Sequence, residues 1–471
     1  MGENNKLHIV MLPWLAFGHM IPYLELSKLI VQKGHKVSFV STPRNIDRLP
    51  KLPPSLSSLI QFVKLPLPHT NNLPENAQAT VDVPVDKVKY LKLAFDGLQE
   101  PLSQFLEEST PDWIFYDYAI YWLAPIASKF NVLTAFFSIF TAPLLGISGP
   151  VSILKGDDQE TRTKPEDFTS SPKWVPFEST VAFRLFEIKR IFKDSVTGDE
   201  ENVSDGFRLG IALENSHVIA VRSCYEFESE WLKLLEDIHQ KPVFPVGQLP
   251  TTTYENSNDE DNTWREIKEW LDKQSKGSVV YVAFGSEAKP SQDELTAIAL
   301  GLELSGLPFF WVLRTRRGEL DTEVIELPKG FEERTKGHGI VCTSWAPQLK
   351  ILSHDSVGGF LTHSGWSSVV EAIQFGRPLV LLTFLADQGI NAKVLVEKKI
   401  GLLIPRNEED GSFTMEAVAK SLNMVINEEE GRIYRDTIKE VNGLFCDPVR
   451  QDYYVDNLLT NLQIYTSQKT T

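Results

Sequence analysis

The stretch Trp345–Gln388, WAPQLKILSHDSVGGFLTHSGWSSVVEAIQFGRPLVLLTFLADQ, decides the fold of this chain. Within it, the apolar run Val357–Leu361 is typical of a buried parallel strand, and the following turn HSGWSS opens a helical pattern over Ser367–Phe375. A strand that leads through a glycine turn into a helix is a unit of a doubly wound α/β sheet. The stretch also offers an aromatic face, a helix N-terminus and an Asp-Gln pair, which suit a base, a phosphate and a sugar.

Strands and helices alternate along the rest of the chain in two blocks. In the first block we predict strands at Leu7–Leu12, Lys36–Val40, Leu59–Leu65 and Trp113–Tyr116, and helices at Ile21–Val31 and Ile120–Ser128. In the second block we predict strands at Ser278–Phe284, Phe309–Leu313, Gly339–Thr343 and Val357–Leu361, and a helix at Gln292–Ser305. This alternation predicts two parallel sheets, each covered by helices on both faces.

A break between the blocks follows from composition. The segment PVFPVGQLP, residues 242–250, clusters Pro and Gly, and a polar segment follows it. A chain of 471 residues also exceeds one ordinary core. We therefore predict an N-terminal domain over residues 1–242, a linker over 243–262, a C-terminal domain over 263–445 and a final helical segment over 446–471. Two such domains leave a cleft between the carboxyl ends of their sheets, where doubly wound folds bind ligands.

Composition and charge exclude several classes of protein. A formal net charge of −16 argues against a nucleic-acid binder, which needs a basic surface. The N-terminus MGENNK lacks a signal-peptide pattern, and the apolar run Thr141–Leu154 is shorter than the ~18–20 residues of a spanning helix. Cys224, Cys342 and Cys446 are widely spaced without a CxxC pair, which favours a reducing compartment. We expect a cytoplasmic monomer without stable membrane insertion.

Four segments carry a resemblance to a known family. The stretch 345–388, together with PWLAFGH, KGHKVSFVSTPRNIDRLP and YVAFGSEAKPSQDEL, resembles plant family 1 UDP-dependent glycosyltransferases. The last three segments resemble a branch that includes UDP-rhamnose:rhamnosyltransferase-like enzymes. The resemblance implies a GT-B fold, in which two Rossmann-like domains face a cleft and a C-terminal helix returns to the N-terminal domain. It also implies a UDP-sugar as co-substrate, no metal or other cofactor, and a small plant metabolite as acceptor.

The resemblance and the residues together predict where the nucleoside binds. Trp345 follows a strand, so its indole lies at the sheet edge and can stack on uracil. Ala346 and Gln348 are predicted to meet the uracil edge and the ribose. Glu371 lies one turn into the helix and is predicted to bind ribose hydroxyls. Ser286, after the strand Ser278–Phe284, is predicted to direct its hydroxyl at phosphate.

The turn His363-Ser364-Gly365-Trp366-Ser367-Ser368 is predicted to hold the diphosphate. Gly365 permits close backbone approach, and Ser367 or Ser368 is a suitable N-cap for the helix. Free N–H groups and the positive end of the helix dipole favour an anion there, so Trp366 and its neighbours belong to the predicted donor site. His363 can donate a further hydrogen bond.

The sugar is assigned to Asp387 and Gln388, whose carboxylate and amide can bind adjacent hydroxyls. The chain departs from the family around them, since Thr383 and Leu385 replace the usual Pro and Trp. Ser364 and Ser367 likewise replace Cys and Asn, and the loss at 367 corresponds to about 1 kcal/mol of hydrogen bonding to phosphate. The resemblance implies rhamnose, whereas Gln388 suits glucose in the wider family, so both sugars remain candidates.

The predicted chemistry is an inverting displacement at the anomeric carbon. His19, in PWLAFGH after the first strand, is the candidate base that takes the acceptor proton. Asp117 ends the strand Trp113–Tyr116, and carboxyl ends of parallel strands meet at one edge, so it is predicted to orient the imidazole. No metal is expected. The acidic string at residues 259–261, DED, lies in the polar linker and is not predicted to bind one.

Aromatic residues near strand ends of the N-terminal block are candidates for the acceptor pocket. They are Trp14, Tyr118 and Phe137, with Phe136 and Phe140 beside them. They suit a flat aglycone such as a flavonoid or a terpenoid, and core packing is an equally good interpretation of each.

Two other functions are alternatives to sugar transfer. A nucleotide-dependent oxidoreductase would need a GxGxxG turn after a strand, and the turn PWLAFG at residues 13–18 differs from it. A non-catalytic protein that binds UDP-sugars would keep the stretch 345–388 but would not need both His19 and Asp117.

Overall fold

Two parallel β-sheets form the framework of the molecule, one of seven strands and one of six. The computed structural model describes residues 6–158, 160, 162–252, 262–315, 321, 324–385 and 387–469. The predicted fold class, two Rossmann-like α/β domains that face a cleft, is confirmed.

The seven-stranded sheet lies in the N-terminal half. Its strands are β1 (His8–Leu12), β2 (Lys36–Ser41), β3 (Ile60–Lys64), β4 (Trp113–Tyr116), β5 (Leu133–Ser138), β6 (Val218–Val221) and β7 (Val243–Pro245). Their order is β3-β2-β1-β4-β5-β6-β7, and all pairs are parallel. Leu12 of β1 pairs with Tyr116 of β4, so the segments that follow these two strands start side by side.

The six-stranded sheet lies in the C-terminal half. Its strands are β8 (Val279–Ala283), β9 (Phe309–Val312), β10 (Gly339–Cys342), β11 (Val357–Thr362), β12 (Leu379–Leu381) and β13 (Gly401–Leu403). Their order is β10-β9-β8-β11-β12-β13, again with parallel pairs. β8 and β11 are neighbours, so the turns after them also meet at one edge.

Helices cover both sheets. In the first half they span Phe17–Gln32, Pro43–Arg48, Pro54–Ser57, Val88–Asp96, Gln99–Ser109, Leu123–Lys129, Ala142–Ser148, Val151–Lys155, Leu185–Phe192, Asp205–Glu214 and Tyr225–His239. In the second half they span Asn262–Leu271, Gln292–Ser305, Phe331–Arg334, Gln348–Ser353, Trp366–Gln374, Gln388–Glu397, Met415–Ile426, Arg432–Phe445 and Pro448–Lys469. Among the described residues, none of these helices is long and apolar enough to span a bilayer.

All predicted strands are present, and each end lies within one residue of its predicted position. The prediction missed β5, β6, β7, β12 and β13. Most of these are only three or four residues long, which is too short for a clear periodic pattern. β7 lies inside the stretch 243–262 predicted as linker, and the buried Val246 and Leu249 follow it, so the start of that stretch belongs to the N-terminal sheet.

The last helix, Pro448–Lys469, returns to the N-terminal half as predicted. Val455 and Leu458 are buried in the same core cluster as β1 and β4 residues. The indole N–H of Trp113 donates to the Thr466 hydroxyl at 2.9 Å. Apolar burial and this hydrogen bond attach the C-terminus to the first domain.

His239, at the end of the helix Tyr225–His239, provides a test of stability against pH. Its side chain is buried, neither ring nitrogen has a hydrogen-bond partner among the described residues, and burial lowers its pKa to about 4. In the unfolded chain the imidazole binds a proton below about pH 6.5, whereas in the folded protein it does so only below about pH 4. The free energy of unfolding therefore falls as the pH drops from about 6.5 to about 4. Between pH 7 and pH 5 the free energy of unfolding of the wild type should therefore decrease by roughly 2 kcal/mol more than that of His239→Gln. Urea unfolding of both proteins at the two pH values measures this difference. Equal losses would contradict this expectation.

Candidate active site

His19 and Asp117 form a hydrogen-bonded pair at the carboxyl edge of the N-terminal sheet. Nδ1 of His19 lies 2.7 Å from Oδ2 of Asp117. Asp117 also accepts from the backbone N–H of Trp14 at 3.2 Å and of Tyr118 at 2.8 Å. It is almost fully buried, so these donors fix the carboxylate in one orientation. The pairing of β1 with β4 explains why the two residues meet.

The pair leaves one imidazole nitrogen for chemistry. With Nδ1 donating to the carboxylate, Nε2 of His19 is the unprotonated nitrogen that can accept a proton. The rings of Phe140 and Tyr118 stand 5.3 Å and 5.8 Å from the imidazole ring. An apolar wall on one side and a charged partner on the other make His19 suitable as a general base.

A cavity of about 450 Å³ is lined by Tyr118 and Phe140, the two residues whose rings contact the His19 imidazole. Tyr118, Phe140, Phe183 and Ile188 contribute apolar walls, and Asp387 of the C-terminal half lies at its margin. The cavity therefore joins the two halves of the chain, and its chemistry suits a largely apolar ligand.

Of the three residues predicted for the acceptor pocket, only Tyr118 lines this cavity. Phe137 is a fully buried core residue that packs against Tyr23, because β5 is covered on both faces. Phe137 therefore fits the core-packing interpretation that the sequence left open. So does Trp14, whose ring packs in the core against Phe95 at 5.3 Å while its backbone N–H donates to Asp117.

The turn after β11 leads into the helix Trp366–Gln374. The N-cap is Gly365, and no side chain caps this helix, so the predicted cap by Ser367 or Ser368 is wrong. The first backbone bond runs from Val369 N–H to the Gly365 carbonyl at 3.1 Å. The N–H groups before it make no intrahelical bond and can bind an anion.

His363 lies between two glycines. A Cβ on Gly285 or on Gly365 would approach His363 Nε2 to 2.7 Å or 2.3 Å, so both positions need glycine. Gly285 also has a φ of +73°, which favours glycine. Burial lowers the His363 pKa to about 4, so its imidazole is neutral at pH 7. Ser286 follows Gly285 at the same edge, where β8 and β11 end.

Trp366 does not offer its side chain to the cleft. The indole is buried, packs 6.0 Å from Phe227, and donates from Nε1 to the Gln248 side chain at 3.0 Å. Trp366 can therefore contribute only its backbone, at the first turn of the helix, to the predicted donor site.

Two of the residues predicted for the nucleoside, Gln348 and Glu371, are in contact. Trp345 is 69% exposed and follows β10, with Ala346 buried behind it. Gln348 donates to Glu371 at 2.6 Å and to the Ser368 hydroxyl at 3.3 Å. Glu371 is half-buried, and desolvation raises its pKa. A hydrogen-bonded carboxylate and amide suit a ribose, and an exposed indole suits a base.

Asp387 and Gln388 start the helix Gln388–Glu397. This helix follows residues 383–385, which we call the sugar loop because they precede the pair predicted to bind the sugar. The Asp387 carboxylate accepts from Asn391 at 2.7 Å, and burial raises its pKa, while His19 opposes that shift. Gln388 uses its side-chain oxygen to accept from the N–H groups of Phe384 and Leu385. Of the Gln388 side chain, only the amide nitrogen is then left to bind a sugar, as a hydrogen-bond donor.

Two residues at this site were not predicted. Asn391 holds Asp387 and also donates to the Ser364 carbonyl at 3.1 Å; its position one turn after Asp387 was an available signal. Arg222 donates to the Ser367 hydroxyl at 2.9 Å, and its signal was a charged residue directly after the apolar strand β6.

The structure also bears on metal binding, within the part of the chain that it describes. No group of three or more His, Cys, Asp or Glu side chains there could hold a metal ion. The acidic string at 259–261 lies outside the described residues.

The chain is similar in sequence to known proteins. The family model described as UDP-glucoronosyl and UDP-glucosyl transferase matches residues 238–450. UDP-glycosyltransferase 91A1 of Arabidopsis thaliana is 57% identical, with 98% of this chain and 97% of that protein covered. Soyasaponin III rhamnosyltransferase of Glycine max is 42% identical, with 98% and 97% covered. The chain belongs to the plant family 1 UDP-glycosyltransferases.

A solved structure extends the likeness to the whole fold. Glycyrrhiza uralensis UGT73P12, complexed with glycyrrhetinic acid 3-O-monoglucuronide, superposes with a TM-score of 0.79 at 24% identity, covering 99% of this chain and 97% of that one. This UDP-glycosyltransferase therefore has the GT-B fold. As an enzyme of this family, it takes a UDP-sugar as co-substrate and transfers the sugar to an acceptor.

Proposed function

We propose that this UDP-glycosyltransferase moves rhamnose or glucose from its UDP-sugar, with inversion, to a hydroxyl of a small plant metabolite, a flavonoid or terpenoid glycoside. The observation that carries the proposal is the 2.7 Å pair of His19 and Asp117, whose imidazole contacts the rings of Tyr118 and Phe140. These two rings line an apolar cavity that Asp387 borders from the other half. The acceptor cavity, the base His19 and Asp387 of the sugar-donor site therefore lie in one cleft.

In the proposed step, Nε2 of His19 takes the acceptor proton as the acceptor oxygen attacks the anomeric carbon. The bond from that carbon to the UDP oxygen breaks on the opposite face, so the configuration inverts. Asp117 stabilises the imidazolium that forms, because its carboxylate accepts from Nδ1. UDP departs as an anion toward the N-terminus of the helix Trp366–Gln374.

The donor is proposed to lie along the edge of the six-stranded sheet. Trp345 stacks on uracil, and Gln348 with Glu371 binds the ribose, which their mutual hydrogen bond supports. Neutral His363 donates to the diphosphate, assisted by Ser286 and by the free N–H groups of the helix. Asp387 and the amide nitrogen of Gln388 bind the sugar hydroxyls.

The sugar loop is fixed from the N-terminal half. Arg184 donates to the Thr383 hydroxyl at 2.7 Å, and that hydroxyl donates to Glu187 at 2.7 Å. A Cβ on Gly389 would approach a Glu187 oxygen to 2.3 Å, so this glycine admits the carboxylate. This contact supports a sugar pocket whose shape depends on both halves. Rhamnose is favoured by the Glycine max relative, a soyasaponin III rhamnosyltransferase, and glucose by Gln388.

The experiment that tests the proposal assays UDP release by the purified chain with UDP-rhamnose and UDP-glucose, each with free and glycosylated flavonols and saponins, in buffer containing EDTA. We expect acceptor-dependent release with one donor preferred and no loss in EDTA. Absence of transfer from both donors, or activity that needs Mg²⁺ or Mn²⁺, would reject it.

We further propose that the enzyme works as a cytoplasmic monomer. The three free cysteines support a reducing compartment. Light scattering of the purified protein would show a mass near the chain's 53.2 kDa, and a dimeric mass would reject the monomer.

A further inference from the structure

Arg222 is a buried cation that the reaction above leaves without a role. It directly follows β6 at the cleft edge of the N-terminal sheet, and 2% of its surface is exposed. Nε donates to the Gln248 carbonyl at 2.8 Å, and Nη2 donates to the Leu249 carbonyl at 3.3 Å. These carbonyls hold the guanidinium in one orientation, with Nη1 directed at the other half of the molecule.

The group that Nη1 meets is the hydroxyl of Ser367, at 2.9 Å. Ser367 is the second residue of the helix Trp366–Gln374, whose N-terminus carries about half a positive charge. A cation held beside that end is repelled by it, and burial weakens the screening by water. The arrangement needs an anion to become favourable.

Two nearby carboxylates attract Arg222 without accepting a hydrogen bond from it. Glu371 and Glu25 act on Arg222 electrostatically, and both accept hydrogen bonds from other side chains. Glu371 accepts from Gln348 at 2.6 Å, and Glu25 accepts from Lys28 at 2.7 Å. Beside the same turn, the Ser364 hydroxyl is buried with no hydrogen-bond partner among the described residues. The turn 363–368 therefore contacts a buried cation at Ser367 and contains a buried hydroxyl, that of Ser364, without a described partner.

We propose that Arg222 is a positioning residue for the diphosphate of the donor, supplied by the N-terminal domain. The guanidinium donates to the Ser367 oxygen, so the Ser367 proton is directed away from Arg222 and can be donated to a phosphate oxygen. The charge of Arg222 offsets that of the diphosphate, and three of its N–H groups are used, which leaves others for phosphate. This inference rests on the proposed function, because it assumes the donor lies at this helix.

A second consequence concerns the two domains. Arg222 belongs to the first sheet and Ser367 to the second, so a diphosphate bound between them contacts both halves. Donor binding then stabilises the closed arrangement of the cleft, and Arg222 links the two events.

The test is an equilibrium titration of the full-length protein with UDP and with uridine, which lacks the phosphates. We expect Arg222→Gln to weaken UDP binding on the order of tenfold to a hundredfold and to leave uridine affinity within about twofold. Arg222→Lys, which keeps the charge, should recover part of the loss. Ser367→Ala should weaken UDP and not uridine. Arg435→Gln is the matched control. Like Arg222, Arg435 donates to two backbone carbonyls, but it lies in the helix Arg432–Phe445, which is not part of the proposed donor site.

The outcomes separate the possibilities. Wild-type UDP affinity in Arg222→Gln would overturn the inference and leave the proposed function intact. Equal losses for UDP and uridine would also overturn it, because a structural role does not distinguish them. A wild-type protein that binds no UDP would reject the proposed function itself.

Discussion

Replacement of His19 by alanine is expected to lower kcat by about a hundredfold to ten-thousandfold. The imidazole is the group in the cleft whose Nε2 is free while Nδ1 is held by Asp117 at 2.7 Å. Without it, the acceptor hydroxyl must lose its proton to water, and the attack on the anomeric carbon slows. UDP affinity should change little, because the donor residues lie on the other sheet. Stopped assays of product and a UDP titration of the same variant measure both quantities.

A histidine far from the cleft serves as the control. His338 is exposed and lies at the amino end of β10, so His338→Ala should keep wild-type kcat. Asp117→Asn should fall between wild type and His19→Ala, since the amide cannot stabilise an imidazolium as a carboxylate does. Turnover of His19→Ala close to that of the wild type would exclude His19 as the base.

Replacement of Gly365 by alanine is expected to weaken UDP-sugar binding by roughly fivefold to a hundredfold, the range given by about 1–3 kcal/mol of overpacking. The new Cβ would lie 2.3 Å from Nε2 of His363. The imidazole is buried and cannot move into solvent, so either it or the start of the helix Trp366–Gln374 must shift. Both are proposed to bind the diphosphate, and calorimetric titration with UDP measures the loss.

Gly443→Ala is the matched control for this variant. Gly443 lies within the helix Arg432–Phe445, with no atom within 4 Å of the added Cβ, so alanine there should stabilise the protein by about 0.5–1 kcal/mol. If Gly365→Ala bound UDP as tightly as Gly443→Ala does, the diphosphate would lie elsewhere.

The base and its partner could be predicted because the sequence determines which ends of parallel strands meet. His19 and Asp117 follow β1 and β4, and these strands are neighbours in the sheet. Strands of three residues could not be predicted in the same way. β7 reads as a proline-rich linker until its hydrogen bonds to β6 are known.

The direction in which a side chain points could not be predicted from the sequence either. Phe136 and Phe137 are adjacent in a strand buried on both faces, so each is fully buried, and no local pattern separates a core ring from a pocket ring. Phe140, beyond the strand end, is the ring that reaches the cavity. Ser367 has the composition of a cap, but Arg222, distant in sequence, donates to its hydroxyl. Tertiary partners of this kind leave no local signal.

The return of the helix Pro448–Lys469 decides how the enzyme can be attached to a surface or fused to a second catalyst. Lys469 donates to the Asn131 carbonyl, just before β5, at the amino ends of the strands and thus opposite the cleft. A tether joined after that point leaves the substrate entrance facing outward. An N-terminal tether starts at the same side, since Lys6 precedes β1, so tags at either terminus should leave catalysis unobstructed.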